Sequence, residues 1–208
     1  MRRIAESTVR RLSLYLSFLE EIEAQGVATT SSDDLAHLGG TTSAQVRKDL
    51  SFFGSFGKRG LGYSVPELST RLREILGLGR QWRVCIIGAG RIGAALAGYA
   101  GFTERGFIVS GVYDSDQAKI GTHLADMIIS DEAYLERDIA ANKYQIAVLA
   151  VPADAAQKLA DRAVRAGIRG ILNFAPVQIN VPDQVALRAV NMAMELEALT
   201  FAITNNFD

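Results

Sequence analysis

The sequence predicts an α/β chain in three parts: a helical domain over 1–79, a parallel-sheet domain over 80–191 and one helix over 192–208. Three observations predict it. Apolar residues recur at helical spacing through the first part and stop at Gly77-Leu78-Gly79, a natural boundary. Beyond it, short apolar runs alternate with helical patterns, as strands of a parallel sheet do. Directly after the first of those runs stands a spaced set of glycines, Gly88, Gly90 and Gly93.

Val9, Leu12, Leu16 and Leu19, widened by Tyr15 and Ile22, form the apolar face of a first helix that ends near Gly26. In the Thr/Ser run after it, Ser32 caps a short helix through Asp33, Leu35, Ala36 and Leu38, closed by Gly39-Gly40. Thr41 or Thr42 caps a third helix that turns Val46, Leu50 and Phe53 inward. Its opposite ridge carries Ala44, Lys48 and Ser51, flanked by Gln45 and Arg47. A small residue permits close approach, and amide, cations and hydroxyl suit base edges and phosphates. Short helix, tight turn and polar-faced helix make a helix-turn-helix, whose second member enters the major groove.

On spacing alone the third helix is equally an ordinary solvated one; the glycine-rich segment after it decides. Gly54 to Tyr63 surrounds Lys58-Arg59 with glycines, the composition of a tight hairpin with two cations at its tip. Such a wing lays Arg59 along a minor groove or phosphates. The order of parts therefore predicts a winged helix. With Arg10 on the first helix and Ser31 and Ser32 opening the second, the candidate DNA-contacting set is Arg10, Ser31, Ser32, Ala44, Gln45, Arg47, Lys48, Ser51, Lys58 and Arg59. Charge agrees: residues 1–80 hold 11 basic against 9 acidic residues, the remainder 11 against 14. A helix over 66–76 (Leu68, Leu72, Ile75, Leu76) closes the domain.

Arg83 to Ile87 reads as a strand running into Gly88-Ala89-Gly90-Arg91-Ile92-Gly93, with an alanine-rich helix after it. That context is the one a dinucleotide fingerprint requires. Gly88 makes the turn, Gly90 admits a pyrophosphate to the backbone, and Gly93 lets helix and strand pack closely. A second strand, Ile108 to Tyr113, ends at Asp114, placed to accept from adenine-ribose hydroxyls and to repel a 2′-phosphate. Ser115 and Asp116 come next with no arginine beside them, so NAD(H) is preferred over NADP(H). Ile146 to Val151, ended by Pro152, and Ile168 to Phe174 read as further buried strands around a helix over 153–166. Val151, Pro152, Asn173 and Phe174 then fall at the carboxyl edge, where the ligand crevice forms. The sheet domain is thus Rossmann-like.

The last helix (Met192, Leu196, Leu199, Phe201, Ile203) is apolar on much of its circumference and needs covering, which a partner subunit is one way to supply. The chain is 49% apolar and 22% charged, which excludes disordered and fibrous classes. No uncharged apolar stretch is long enough for a membrane span or a leader, so a cytoplasmic protein is expected. One cysteine, Cys85 within the first strand, excludes an intramolecular disulfide and multi-cysteine metal sites. His37 and His123 have no spaced partner, and no tyrosine has a lysine four residues on. Neither a catalytic nor a metal-binding set emerges.

These residues resemble the Rex family of redox-sensing transcriptional repressors. The likeness runs through Val46 to Ser51, the segment to Gly62-Tyr63, Gly88 to Gly93, Tyr99 to Phe102, Val151-Pro152-Ala153 with Ala156-Gln157, and Gly170 to Pro176. It implies a homodimer on a palindromic operator, with DNA released when NADH replaces NAD+. It also implies a C-terminal helix swapped between subunits, bringing Asn191 and Met192 to the partner's nicotinamide pocket. Arg91 stands where relatives often have Asn. Ser17 replaces a usual arginine of the first helix, and Asn191 a usual aspartate. In the family pattern that pair bridges in one state, while the aspartate turns to a tyrosine at the position of Tyr99 in the other. A rival class, a small NAD-dependent oxidoreductase with an accessory helical domain, lacks an acid–base pair and room for a substrate domain. A ligand-gating module of a transport system leaves the basic wing unexplained.

Overall fold

The computed structural model describes residues 4–57 and 61–206. The chain divides into two compact units, one ending at Arg80 and the other starting at Gln81.

The first unit holds α1 (Glu6–Ala24), β1 (Thr29–Thr30), α2 (Ser32–Leu38), α3 (Ser43–Ser51), β2 (Tyr63–Ser64) and α4 (Val65–Ile75). Its core gathers Leu12, Leu16 and Leu19 of α1, Leu35 of α2, Val46 and Leu50 of α3, and Leu68 and Leu72 of α4. The buried stripe of α1 runs through Thr8, Leu12, Tyr15, Leu16 and Leu19 rather than through the expected Val9, which is exposed. Thr8 takes the inward place because its hydroxyl joins a polar cluster around Asp49. Phe53 lies beyond the end of α3, half-buried against the core.

Two caps differ from or refine the reading of the sequence. α2 is capped by Ser31, not Ser32: the Ser31 hydroxyl accepts from Asp34 N at 3.1 Å and the Asp34 carboxylate accepts from Ser31 N at 2.9 Å. A carboxylate three residues after Ser31 completes that reciprocal box, which moves the start back by one position. Thr42 caps α3, accepting from Gln45 N at 3.2 Å.

The expected hairpin over 54–63 is also amended. β2 pairs antiparallel with β1, Thr29 opposite Ser64 and Thr30 opposite Tyr63, while Gly54 to Gly57 forms no strand. β-branched threonines hold a ladder better than a glycine-rich arm. Gly57 nonetheless lies close against Gly62 and Tyr63, since a Cβ there would strike the Gly62 carbonyl and the Tyr63 ring. Lys58 and Arg59 lie outside the described residues.

The second unit comprises β3 (Trp82–Ile87), α5 (Arg91–Ala97), α6 (Ala100–Glu104), β4 (Phe107–Asp114), β5 (His123–Leu124), β6 (Met127–Asp131), α7 (Leu135–Asn142), β7 (Ile146–Leu149), α8 (Ala153–Arg165), β8 (Gly170–Asn173), β9 (Ala186–Ala189) and α9 (Met192–Asn206). They build one sheet in the order β5-β6-β4-β3-β7-β8-β9. Every pairing from β6 to β9 is parallel; only the short β5 runs antiparallel.

Alternation along β3 sends Cys85 and Ile87 to one buried cluster, with α7 and α8, and Val84 and Ile86 to the other. From β3 the chain winds outward through β4 and β6, then crosses back to β7 and winds the other way. The crevice of such a sheet opens at the carboxyl ends of the strands where winding reverses, here between β3 and β7.

Candidate functional site

At that crevice the glycines differ in what they permit. Gly88 has φ +102°, and a Cβ there would meet the Ala150 carbonyl of the neighbouring strand end. Only glycine fits such a turn. A Cβ on Gly93, in the first turn of α5, would run into the Gly88 carbonyl and lie 3.4 Å from the Ile86 side chain. Gly90 is different: its backbone is extended, and a Cβ would meet nothing within 4 Å. Its bareness therefore serves no packing need inside the chain. It leaves open space over the backbone, as close approach of a phosphate requires.

Gly88, Gly90, Asp114, Val151 and Pro152 line one cavity of about 350 Å³, together with Ser115, Asp116, Lys119 and Glu132. Asp114 is nearly buried and accepts from Ala89 N at 2.7 Å and Asp116 N at 2.9 Å. Lys119 Nζ adds a third donor at 3.2 Å. Burial by itself would raise the Asp114 pKa. The N–H groups of Asp116 and Ala89 and the Lys119 ammonium outweigh it and hold the carboxyl below the ordinary range. An ionised carboxylate with one acceptor site still free is thus fixed beside the glycine turn, able to accept from a hydroxyl. These residues fit a dinucleotide.

The other expected cofactor residues take varied places. Ala89 spends its N–H on Asp114, whereas Arg91 and Ile92 are exposed at the start of α5. The Asn173 amide is 1% exposed, accepts from Ala175 N at 3.0 Å and donates to the Val177 carbonyl at 2.9 Å. It therefore locks the turn after β8, and Phe174 packs half-buried on the sheet. Tyr99 is exposed and meets Phe102 edge-on at 5.1 Å. Asn191 accepts from Ala193 N at 3.0 Å and Met194 N at 3.4 Å, capping α9. Met192 and Ser17 are exposed. Burial pushes the Cys85 thiol up to about 12, as for a core residue.

In the first unit, Ala44, Arg47, Lys48 and Ser51 form an exposed ridge on α3. Arg47 donates to the Ser32 hydroxyl at 2.9 Å, tying α3 to the start of α2. Gln45 turns away from that ridge and donates to Asp49 Oδ1 at 2.8 Å. Asp49 is fully buried and also receives two Arg11 nitrogens, at 2.6 and 2.7 Å, the Tyr15 hydroxyl at 3.2 Å and the Thr8 hydroxyl at 3.3 Å. Burial would raise the Asp49 pKa, but the donors from Arg11, Gln45 and Tyr15 more than reverse it. In the sequence Arg11 reads as one more cation of the first helix, which hides this cluster. Its signal was Thr8, Arg11 and Tyr15 at helical spacing, facing Gln45 and Asp49 at i, i+4. Arg10 remains exposed beside Glu6, at 3.7 Å.

A larger cavity of about 560 Å³ lies between residues 53–57 and α4, lined by Phe53, Phe56, Tyr63 and Leu68 among others. Among the described residues that line it, the one arginine, Arg71, is paired with Glu74 at 2.7 Å.

Comparison with known proteins adds independent findings. Residues 3–51 match the family described as "Putative DNA-binding protein N-terminus", and residues 79–177 match "CoA binding domain". The chain is 48% identical over 201 residues to the redox-sensing transcriptional repressor Rex of Carboxydothermus hydrogenoformans, covering 97% of each. To its namesake in Thermus thermophilus it is 49% identical over 203 residues, covering 98% of this chain and 95% of the relative. The crystal structure of RSP, a Rex-family repressor, superposes with TM-score 0.91 at 37% identity, over 99% of this chain and 96% of that one. RSP in complex with beta-NAD+ and operator DNA gives TM-score 0.93 at 38% identity, over 99% and 95%.

Proposed function

Since the chain belongs to the Rex family of redox-sensing transcriptional repressors, we propose that its first unit binds operator DNA and its second binds NAD(H), which governs that binding. A dinucleotide in the crevice supplies a redox couple whose two forms differ in nicotinamide charge and shape. The protein senses the ratio of the two and catalyses nothing with them. Gly88 and Gly93 hold the turn, Gly90 admits the pyrophosphate, and the ionised Asp114 accepts from the adenine ribose. On the DNA side, Lys48 and Arg47 meet phosphates and base edges from α3. Ala44 permits close approach, and Lys58 and Arg59 add two further cations for phosphates.

The active species is a homodimer in the cytoplasm, bound to a palindromic operator. Six apolar side chains of α9 (Met192, Met194, Leu196, Leu199, Phe201, Ile203) are each 58–70% exposed, far more than a solvated helix tolerates. A second copy covers them, and two-fold symmetry in the protein then calls for two-fold symmetry in the DNA site. That a relative is known in complex with beta-NAD+ and operator DNA supports NAD+ as the DNA-competent form and NADH as the releasing one.

The observation that carries this reading is the open space over Gly90. At the start of α5, beside the carboxyl end of β3, that space leaves room for a phosphate to approach the backbone. Gly90→Ala should fold with unchanged thermal stability, yet bind NADH at least tenfold more weakly and leave operator binding insensitive to NADH. Calorimetric titration with NADH and operator titrations with and without it decide the matter. Undiminished NADH affinity in Gly90→Ala would move the dinucleotide elsewhere.

A further inference from the structure

The loop after β4 carries a cation that the glycine fingerprint does not announce. Lys119 stands five residues past Asp114, and the turn opened by Asp116 folds it back over the strand end. Asp116 Oδ1 accepts from Ala118 N at 3.0 Å and its carbonyl from Lys119 N at 2.9 Å. The Lys119 ammonium then lies 3.2 Å from Asp114 Oδ2 and 3.7 Å from Asp116 Oδ2. All three side chains line the cavity that contains Gly88 and Gly90.

Asp114 and Asp116 alone would make this end of the crevice hostile to any further anion. With Lys119 between them, one of the two negative charges is balanced. The lysine side chain is 38% exposed, and its flexible stem lets the ammonium leave the carboxylates to track an incoming phosphate. Asp114, by contrast, is pinned by two backbone N–H groups and cannot withdraw.

We propose that Lys119 sets how strictly the crevice discriminates at the adenine ribose. Paired with Asp114, it lets a 2′-phosphorylated dinucleotide such as NADPH bind as a weaker second ligand, which the two aspartates alone would exclude. This rests on the dinucleotide reading of the crevice. It also changes what the carboxylate implies: an aspartate at a strand end with a lysine folded onto it prefers NADH less sharply than an aspartate left alone.

The test is titration of the full-length protein with NADH and with NADPH, by calorimetry, at about 50 mM and about 200 mM salt. Lys119→Met should widen the NADH-over-NADPH preference about tenfold, with the larger change on the NADPH side. Lys119→Arg, which keeps the charge, should leave the preference within about threefold of the unaltered protein. The effect of Lys119→Met should shrink at the higher salt, because part-exposed charges are screened. An unchanged preference in Lys119→Met, or equal weakening of both ligands, overturns the proposal while leaving the dinucleotide reading intact. Failure of the unaltered protein to bind NADH, or Gly90→Ala binding it normally, overturns both.

Discussion

Asp114 does two things at once, and they constrain how it can be tested. Its carboxylate is an acceptor for a ribose, but it also holds the Ala89 N–H inside the glycine turn. Truncation to alanine would disturb both, and Asp114→Asn would set an NH2 donor against one of the two backbone N–H groups, so neither change isolates the ribose contact. The residue types at this site were legible because glycine geometry leaves few options: Gly88 and Gly93 are demanded by neighbouring carbonyls that any strand-turn-helix of this kind brings near. Lys119 was not legible, because its pairing depends on where an irregular loop returns. The same holds for Arg162, whose guanidinium reaches across to Glu136 at 2.6 and 2.7 Å from one helix to another. Those two bonds bring the Glu136 pKa down from 4.5 to about 2. A depressed carboxylate stabilises the fold above its unfolded value and loses that contribution as pH falls through the folded one. Glu136→Gln should therefore cost up to about 1 kcal/mol near pH 6, the scale of a part-exposed pair. The difference should fade as pH drops from about 4.5 toward 2. Urea unfolding at pH 6 and pH 3 measures it, and a difference that stays constant would mean that the pair does not supply the stability.

Helices announced themselves more clearly than strands. α1, α3, α4 and α8 each bury an apolar stripe at helical spacing, and β3 and β7 are continuous apolar runs because both of their faces are covered. β6 and β9 were missed: Met127–Asp131 mixes Ser130 and Asp131 into the run, and the edge strand Ala186–Ala189 is largely exposed. Neither carries the pattern of a two-sided strand. The packing of α1 on α3 was also hidden, since a buried ion pair reads in sequence as two surface charges. Arg11 and Lys48 look alike there, but their surroundings are opposite. Arg11 is 21% exposed at the side chain and forked onto a carboxylate that is 0% exposed, whereas Lys48 stands on the outer ridge. Arg11→Ala would leave Asp49 buried without its cation, which costs about 3–5 kcal/mol. Lys48→Ala should leave stability unchanged and reduce the salt dependence of operator affinity by about one unit of slope, as loss of one phosphate contact does. Urea denaturation together with operator titration over a salt series separates the two. Unchanged stability with a reduced slope in Arg11→Ala would make Arg11 a phosphate contact instead of the residue that positions α3.

Sensing requires more than two binding units in one chain: the dinucleotide must bind two states of the protein with different affinity, typically by about 1–3 kcal/mol. The family resemblance assigns part of that difference to an ion pair between the first helix and the residue before the last one. Here those positions are Ser17, exposed on α1, and Asn191. With both positions neutral, the family's pairing would leave no lone charge behind, whereas a charge at one position alone would stand unpaired there. Asn191 caps α9 through the same oxygen an aspartate would use, and the two residues cap about equally well. Asn191→Asp therefore restores the charge without unsettling the helix, which makes the pair a fair probe of coupling instead of folding. NADH should still bind the unaltered protein but lower its operator affinity less than in relatives having both charges. On the family pattern, a neutral Asn191 facing a tyrosine at position 99 would discriminate less between states than a charged aspartate. Ser17→Arg with Asn191→Asp should enlarge the NADH response by more than the two single changes combined, because only the double variant regains an attraction confined to one state. Operator titrations of all four proteins at matched salt, saturated with NADH or NAD+, close the cycle. If the single changes add without excess, or the unaltered response already equals that of charge-bearing relatives, the switch is set elsewhere in the protein.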